Sequence, residues 1–363
     1  MESKLRIHSI GRGYPQAFIG VLFLVFCAGI IQAEEACKPE QGMSFVCGPV
    51  NAEDLVWVPG TPWIISSGMS DEGAGHLYLL NTRTRQYETL YPPGSPQHRW
   101  DRDMFAVCPG ELDTGNFSAH GLSILPQGRG LHRLYVTSHG AREAVEVFEV
   151  DSSGEKPVVA WVGCVPMPEY ASINSVAALK DGGFITTRIS SNAPDASDET
   201  IFAGEISGFL YEWHPGGEVT RMAGTDMSGP NGIVVSGDQR SVYVASWGRG
   251  EVARFIRDDL GKLALDQTVK VGFRVDNLRW TDDGMILAVG HRLSDSQDCD
   301  TPLCFDQWAV AELDPEQMTA TALLTRKPIP GFTGATVAIP DNGGLWLGTF
   351  HGDRLVYIPD ADR

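Results

Sequence analysis

Six times along this 363-residue chain an apolar run is entered through a polar or small pair: Glu53-Asp54, His120-Gly121, Asn174-Ser175, Asn231-Gly232, Asp276-Asn277 and, more weakly, Gly334-Ala335. Glu53, Asn174, Asn231, Asp276 and Asn277 offer only oxygen as ligand atoms, two of them through carboxylates. Hard oxygen donors in that number, with room left for water or substrate, suit calcium better than zinc, and two carboxylates neutralise a divalent charge. A zinc site would want His or Cys. A calcium ion with exchangeable positions polarises a carbonyl and stabilises the oxyanion that develops when water attacks. That attack needs a base. His120 is the imidazole at an opening, and His139 stands behind it in sequence to orient it or pass the proton on. No serine nucleophile of the GxSxG type is present. Asn and Asp at strand starts also make turns, so the inference rests on their recurrence at equivalent points and not on any one position.

For these groups to meet, the chain must fold as a ring of repeats. The openings recur at intervals of roughly 45 to 67 residues, the range of a four-stranded blade with variable loops. Each is followed by a second strand, at Trp63 to Ser67, Leu134 to Ser138, Phe184 to Ile189, Val242 to Ser246, Ile286 to Gly290 and Leu345 to Thr349. A third follows near Leu77, Val145, Phe209, Val252, Val310 and Leu355. The fold class expected is all-β: a six-bladed β-propeller with four-stranded blades around a central channel. The first strand of a blade lines that channel, so residues more than 220 apart would converge at its mouth. Ser44 to Cys47 is expected to complete the last blade, which otherwise lacks an outer strand and would leave a sheet edge open.

Turn positions give expected registers. A hairpin centred on Gly128 to Leu131 sets 122 against 137 and 120 against 139, bringing the two imidazoles within hydrogen-bonding reach. The Asp283-Gly284 turn sets 276 against 291, so His291 is expected to face Asp276. Phe350 and His351, at the end of a strand in blade six, are further candidates for the pocket lining. The long connection Pro92 to Ala119 is expected to wall the channel mouth. The polar segment Ser190 to Gly204 reads as an exposed excursion, with a lid as the alternative.

Residues 1–33 have the form of a secretory signal: Lys4, Arg6 and Arg12, then an apolar run from Ala17 to Ile31 and a small-residue cleavage site at Ala33. Residues 34–363 would then form a single domain that is secreted or periplasmic, with a membrane as partner only if the leader is retained. The whole chain carries 28 basic and 46 acidic residues; loss of the leader leaves 25 against 45. So acidic a surface repels nucleic acid and anionic lipid. Six cysteines remain, an even count that suggests disulfides in an exported chain. Cys299 with Cys304 is the expected pair, and Cys37 with Cys47 a weaker one.

Several short motifs, in order, resemble the calcium-dependent paraoxonase/arylesterase family, within the wider gluconolactonase and senescence-marker-protein group of six-bladed propellers. They are Ala52-Glu53-Asp54-Leu55 with Ser66-Ser67-Gly68, Phe117-Ser118-Ala119-His120-Gly121, and Leu134-Tyr135-Val136 through His139 to Val145-Glu146-Val147-Phe148. Ser172-Ile173-Asn174, Pro230-Asn231-Gly232-Ile233 and Asp276-Asn277-Leu278 complete the set. The resemblance spans about residues 45 to 358. It implies that Glu53, Asn174, Asn231, Asp276 and Asn277 hold a catalytic calcium, that His120 and His139 form a dyad, that His291 sits at the pocket, and that the substrates are lactones and aryl esters. The chain departs from the family at a second, structural calcium. The Asp expected beside the third opening is Ser175, although Asp54 remains, which weakens the case for a second ion. A sugar-lactone hydrolase with a carboxylate base and a non-catalytic calcium-binding propeller stand as alternatives.

Overall fold

The computed structural model describes residues 37–70, 74–294 and 305–362. The expected leader and the Cys299–Cys304 pair lie outside them. Glu40–Arg363 is one compact unit. Its strands form six four-stranded antiparallel sheets, the blades of a propeller. The innermost strands are Leu55–Trp57, Phe117–Gly128, Ala171–Ala178, Pro230–Val235, Arg274–Trp280 and Val337–Asp341. The last blade is completed by the first strand of the chain: Ser44–Cys47 pairs with Arg354–Pro359, Ser44 opposite Tyr357 and Cys47 opposite Arg354. Ring closure therefore rests on the strand expected to provide it, and the open edge disappears.

The middle strands are apolar on both faces because blades pack against blades. In blade two Val145, Val147 and Phe148 are all fully buried, as is Glu146 between them, which is paired with Arg142. Tyr91 of blade one meets Phe148 edge-on at 4.9 Å and Phe117 at 5.7 Å, which joins blades one and two. Truncating such a ring to Ala costs about 3–5 kcal/mol.

The innermost strands share a defect. Pairing with the second strand breaks between Ala119 and Leu122, between Ile173 and Val176, between Pro230 and Ile233, and between Val275 and Leu278. The bulged residues are His120-Gly121, Asn174-Ser175, Asn231-Gly232 and Asp276-Asn277, the polar openings themselves. A bulge frees a residue from the ladder and re-aims its side chain. In three blades a second-strand hydroxyl accepts the displaced N–H: Ser67 from Asp54 at 2.8 Å, Thr137 from Gly121 at 2.7 Å and Thr187 from Ser175 at 2.9 Å. Glycine is needed where the neighbouring blade comes closest. A Cβ on Gly121 would lie 2.5 Å from the Asn174 carbonyl oxygen, and one on Gly232 2.5 Å from that of Asp276.

These bulges, together with a one-residue shift nearer each turn, correct the expected registers: Leu122 lies opposite Val136, not residue 137. His139 lies opposite Ser118, and Arg274, not Asp276, lies opposite His291. The long connection after blade one is also not where it was expected. Arg99 and Asp101 donate backbone N–H groups to Trp161 and Val162, and Cys108 is bonded to Cys164. Trp161 to Cys164 belong to the outermost strand of blade two, so the segment covers that blade's exposed edge and leaves the mouth clear. Cys37 and Cys47 each take part in a disulfide as well. Such bonding belongs to an oxidising compartment.

Candidate functional site

At the leading ends of the innermost strands lies a cavity of about 350 Å³. Its floor is polar and built from the openings: Glu53, His120, Asn174, Asn231 and Asp276 line it. Asn277 is buried beside them and donates its amide to Glu53 Oε1 at 2.6 Å across 224 residues of sequence. His120 Nε2 stands 3.7 Å from Glu53 Oε2 and 3.3 Å from the Asn174 amide nitrogen. Neighbouring openings are tied through backbone groups: Thr137 donates its hydroxyl to the Asn174 carbonyl, and Thr336 donates to that of Glu53.

Four acceptor oxygens on this floor are buried and without a hydrogen-bond partner: Glu53 Oε2, Asn174 Oδ1, Asn231 Oδ1 and Asn277 Oδ1. Unsatisfied buried polar atoms are costly and uncommon; these four oxygens, grouped on one floor, could hold a cation. The electrostatics agree. Burial, then the charges of Asp54 and Asp276, hold the Glu53 carboxyl well above the usual range. Burial pushes Asp276 up to about 8, opposed by a hydrogen bond from Asn231. Two carboxylates forced together in a dry site repel protonation-free coexistence unless positive charge joins them. Among the described residues no three His, Cys, Asp or Glu side chains are arranged to ligate a metal; the donors gathered here are two carboxylates and three amides.

The imidazoles form a chain. His120 Nδ1 and His139 Nε2 are 2.9 Å apart, and burial, with the neighbouring His139, drives the His120 pKa well below its ordinary value, leaving the ring neutral. His291 is buried against Phe305, its ring centroid 4.1 Å away, with Nδ1 3.7 Å from Asp276 Oδ2. Burial lowers its pKa to about 4. The bulge brings Asp276 towards His291 although the register does not pair them.

The upper walls are mainly apolar, with Met69, Ile189, Ile201, Phe202, Trp247 and Phe350, interrupted by Ser172, Ser190 and Asp198. Ile201 and Phe202 belong to a short helix, Glu199–Phe202, inside the segment expected to be an excursion. Arg274 donates to the Phe202 carbonyl and Arg249 to that of Gly204, while Phe202 meets Trp247 edge-on at 5.5 Å. Most of the segment from Asn192 to Glu199 is exposed, as expected, while Ile201 and Phe202 at its end form a cavity wall held by two guanidiniums. Phe350 lines the cavity as expected. His351 does not: it is exposed and beyond the lining.

A family profile described as the SMP-30/Gluconolactonase/LRE-like region matches residues 67–293. The chain belongs to this family. Human serum paraoxonase/lactonase 3 is 22% identical over 279 residues, 73% of each chain. Solved structures share the fold at low identity. A putative gluconolactonase is 14% identical with a TM-score of 0.55, covering 87% of this chain and 91% of its own. A gluconolactonase of Xanthomonas campestris is 17% identical with a TM-score of 0.52, covering 87% and 88%. A luciferin-regenerating enzyme is 13% identical with a TM-score of 0.52, covering 86% and 93%.

Two residues of this family member were not singled out in the sequence. Arg279 inserts its guanidinium between the innermost strands, bonded to both carboxylate oxygens of Asp54 and to the Leu55 and Leu122 carbonyls at 3.0 and 3.1 Å. Asp54 also accepts the N–H groups of Leu55 and Leu122. Its oxygens are thus already taken by a fixed cation, which leaves Asp54 no free acceptor for a second ion. Below Arg279 the opposite end of the channel widens to about 1050 Å³, lined by the trailing ends of the same strands, with none of the polar openings. Glu143 lies in the turn after His139 and accepts from His139 Nδ1 at 2.8 Å. A carboxylate four residues past a candidate base, in a tight hairpin, was the available signal.

Proposed function

We propose that the protein hydrolyses lactones and aryl esters bearing apolar substituents, using one calcium ion held by Glu53, Asn174, Asn231, Asp276 and Asn277. The observation that carries this reading is the set of four unpartnered, buried acceptor oxygens beside the buried His120 imidazole and its partner His139. That donor set is oxygen only, as calcium prefers. When bound, the ion would supply Lewis acidity to an ester carbonyl.

The chain's own groups do the rest. His120 is neutral, so its Nε2 lone pair can take a proton from an attacking water, and His139 stabilises the imidazolium that results. The apolar walls bind an alkyl or aryl group and exclude bulk water, which strengthens the electrostatics of the floor. They also select. Met69, Ile189, Ile201, Phe202, Trp247 and Phe350 give an alkyl or aryl group more contact than a sugar's hydroxylated ring would find. The similarity to human serum paraoxonase/lactonase 3 supports lactone hydrolysis. We place the protein outside the cytoplasm on its disulfides and its leader-like first 33 residues.

Chelation followed by calcium add-back, on aliphatic lactones, phenyl acetate and gluconolactone, tests the proposal. Turnover of the apolar substrates should vanish with chelator and return with calcium. His120→Gln should lower kcat by about 10²-fold or more. Preference for gluconolactone with His120→Gln fully active would favour a carboxylate base, and no calcium-dependent turnover of any substrate would overturn the proposal.

A further inference from the structure

The geometry points to Glu143 as a positioning residue that sets the tautomers of both imidazoles and so makes His120 Nε2 the basic atom; this rests on the function proposed above. The argument is one of donors and acceptors. Glu143 uses both carboxylate oxygens: Oε1 accepts the Ile173 N–H at 2.6 Å, and Oε2 stands 2.8 Å from His139 Nδ1. A carboxylate can only accept, so His139 must carry its proton on Nδ1. In the neutral ring its Nε2 is then a lone pair, and the 2.9 Å contact has His120 donate from Nδ1. That leaves His120 Nε2 unprotonated on the cavity floor. The Asn174 amide, 3.3 Å away, donates towards the same nitrogen. Every bond in the series Asn174, His120, His139, Glu143 runs in one direction.

Glu143 also fixes position. Ile173 precedes Asn174 in the bulge of blade three, so the carboxylate holds the dyad of blade two to the neighbouring opening. Its side chain is 18% exposed and that of His139 27%, so the pair stands at the rim and the series runs inward from there.

Glu143→Gln tests this directly. If the new amide keeps its oxygen on the Ile173 N–H, its NH₂ group faces His139 Nδ1 and can be received only by the opposite tautomer. The reversal propagates, and His120 presents an N–H to the cavity. With phenyl acetate and calcium, kcat should fall roughly 10- to 100-fold while KM moves less than about twofold, because nothing in the apolar wall has changed. Glu143→Asp, which keeps an acceptor, should recover part of the loss. Nitrogen-15 spectra of histidine-labelled full chain give a readout independent of turnover: both His120 and His139 should show the Nδ1–H form in the native protein. An Nε2–H form on native His139, or Glu143→Gln with native kcat and unchanged tautomers, would overturn the assignment. Should Glu143→Gln fail to fold, the native spectrum and Glu143→Asp still decide it. Absence of turnover in the native protein would defeat the proposed function, yet the native spectrum would still read the tautomers.

Discussion

Removing Arg279 probes the hub of the ring. The Asp54 side chain is fully buried and that of Arg279 is 12% exposed. Replacement by Met keeps the apolar stem but deletes the cation, stranding a carboxylate and uncapping the Leu55, Leu122 and Leu278 carbonyls to which the guanidinium donates. Breaking one partner out of a buried pair costs about 3–5 kcal/mol. For a chain of this size that corresponds to roughly 4–7 °C in melting temperature. Asp54 can escape part of the cost by taking up a proton, so the deficit should shrink at acid pH and be largest above neutrality. Urea denaturation of Arg279→Met, Asp54→Asn and the double variant closes a double-mutant cycle, and the coupling should reach about 2–3 kcal/mol. A loss below about 1 kcal/mol for Arg279→Met, or coupling near zero, would refute the view that this guanidinium is the fixed cation of the channel.

Three further outcomes follow from the same coordinates. Asp276 has a folded-state pKa of about 8 against a usual 3.8, so it binds its proton more tightly folded than unfolded. Without calcium its contribution to stability should fall as pH rises from about 4 to 8, by up to about 4 kcal/mol at pH 7. In chelator, Asp276→Asn should therefore gain on the native protein between pH 5 and pH 8, and equal pH slopes would contradict this. Gly232→Ala places a Cβ 2.5 Å from the Asp276 carbonyl oxygen and should lose about 1–3 kcal/mol; Gly237→Ala, with nothing within 4 Å, should be neutral in the same thermal melts. The Cys108–Cys164 bridge spans a separation of 56 residues. Replacing both by Ser should cost about 4 kcal/mol on the chain-entropy account, read by denaturation, and an unchanged midpoint would show that the edge segment is held by its hydrogen bonds alone.

How far the site could be read without coordinates varied by residue. Glu53, Asn174, Asn231, Asp276 and Asn277 were recognisable because each opens an equivalent strand, and equivalence in a ring implies proximity. The pairing of His120 with His139 was reached through a register that does not exist. The hydrogen bond forms because a bulge re-aims His120, and a count outward from the turn cannot see a residue that leaves the ladder. Glu143 and Arg279 were passed over because neither lies at an opening. Arg279 finds Asp54 two blades further round the ring, and Glu143 reaches Ile173 in the next blade, contacts remote in sequence.

What the chain determines by itself is therefore its local periodicity: where strands begin and turn, that there are six blades, that Ser44–Cys47 closes the last, and which polar side chains stand at each entrance. These follow from alternation, turn residues and repetition, all short-range properties. The tertiary structure alone decided the bulges at four openings, the guanidinium that occupies Asp54, the edge-covering course of the segment after blade one, and the wall built from Ile201 and Phe202. Each arises where one blade's backbone or an unpaired strand edge meets another element, and the size of that gap is set by neighbours far away along the chain.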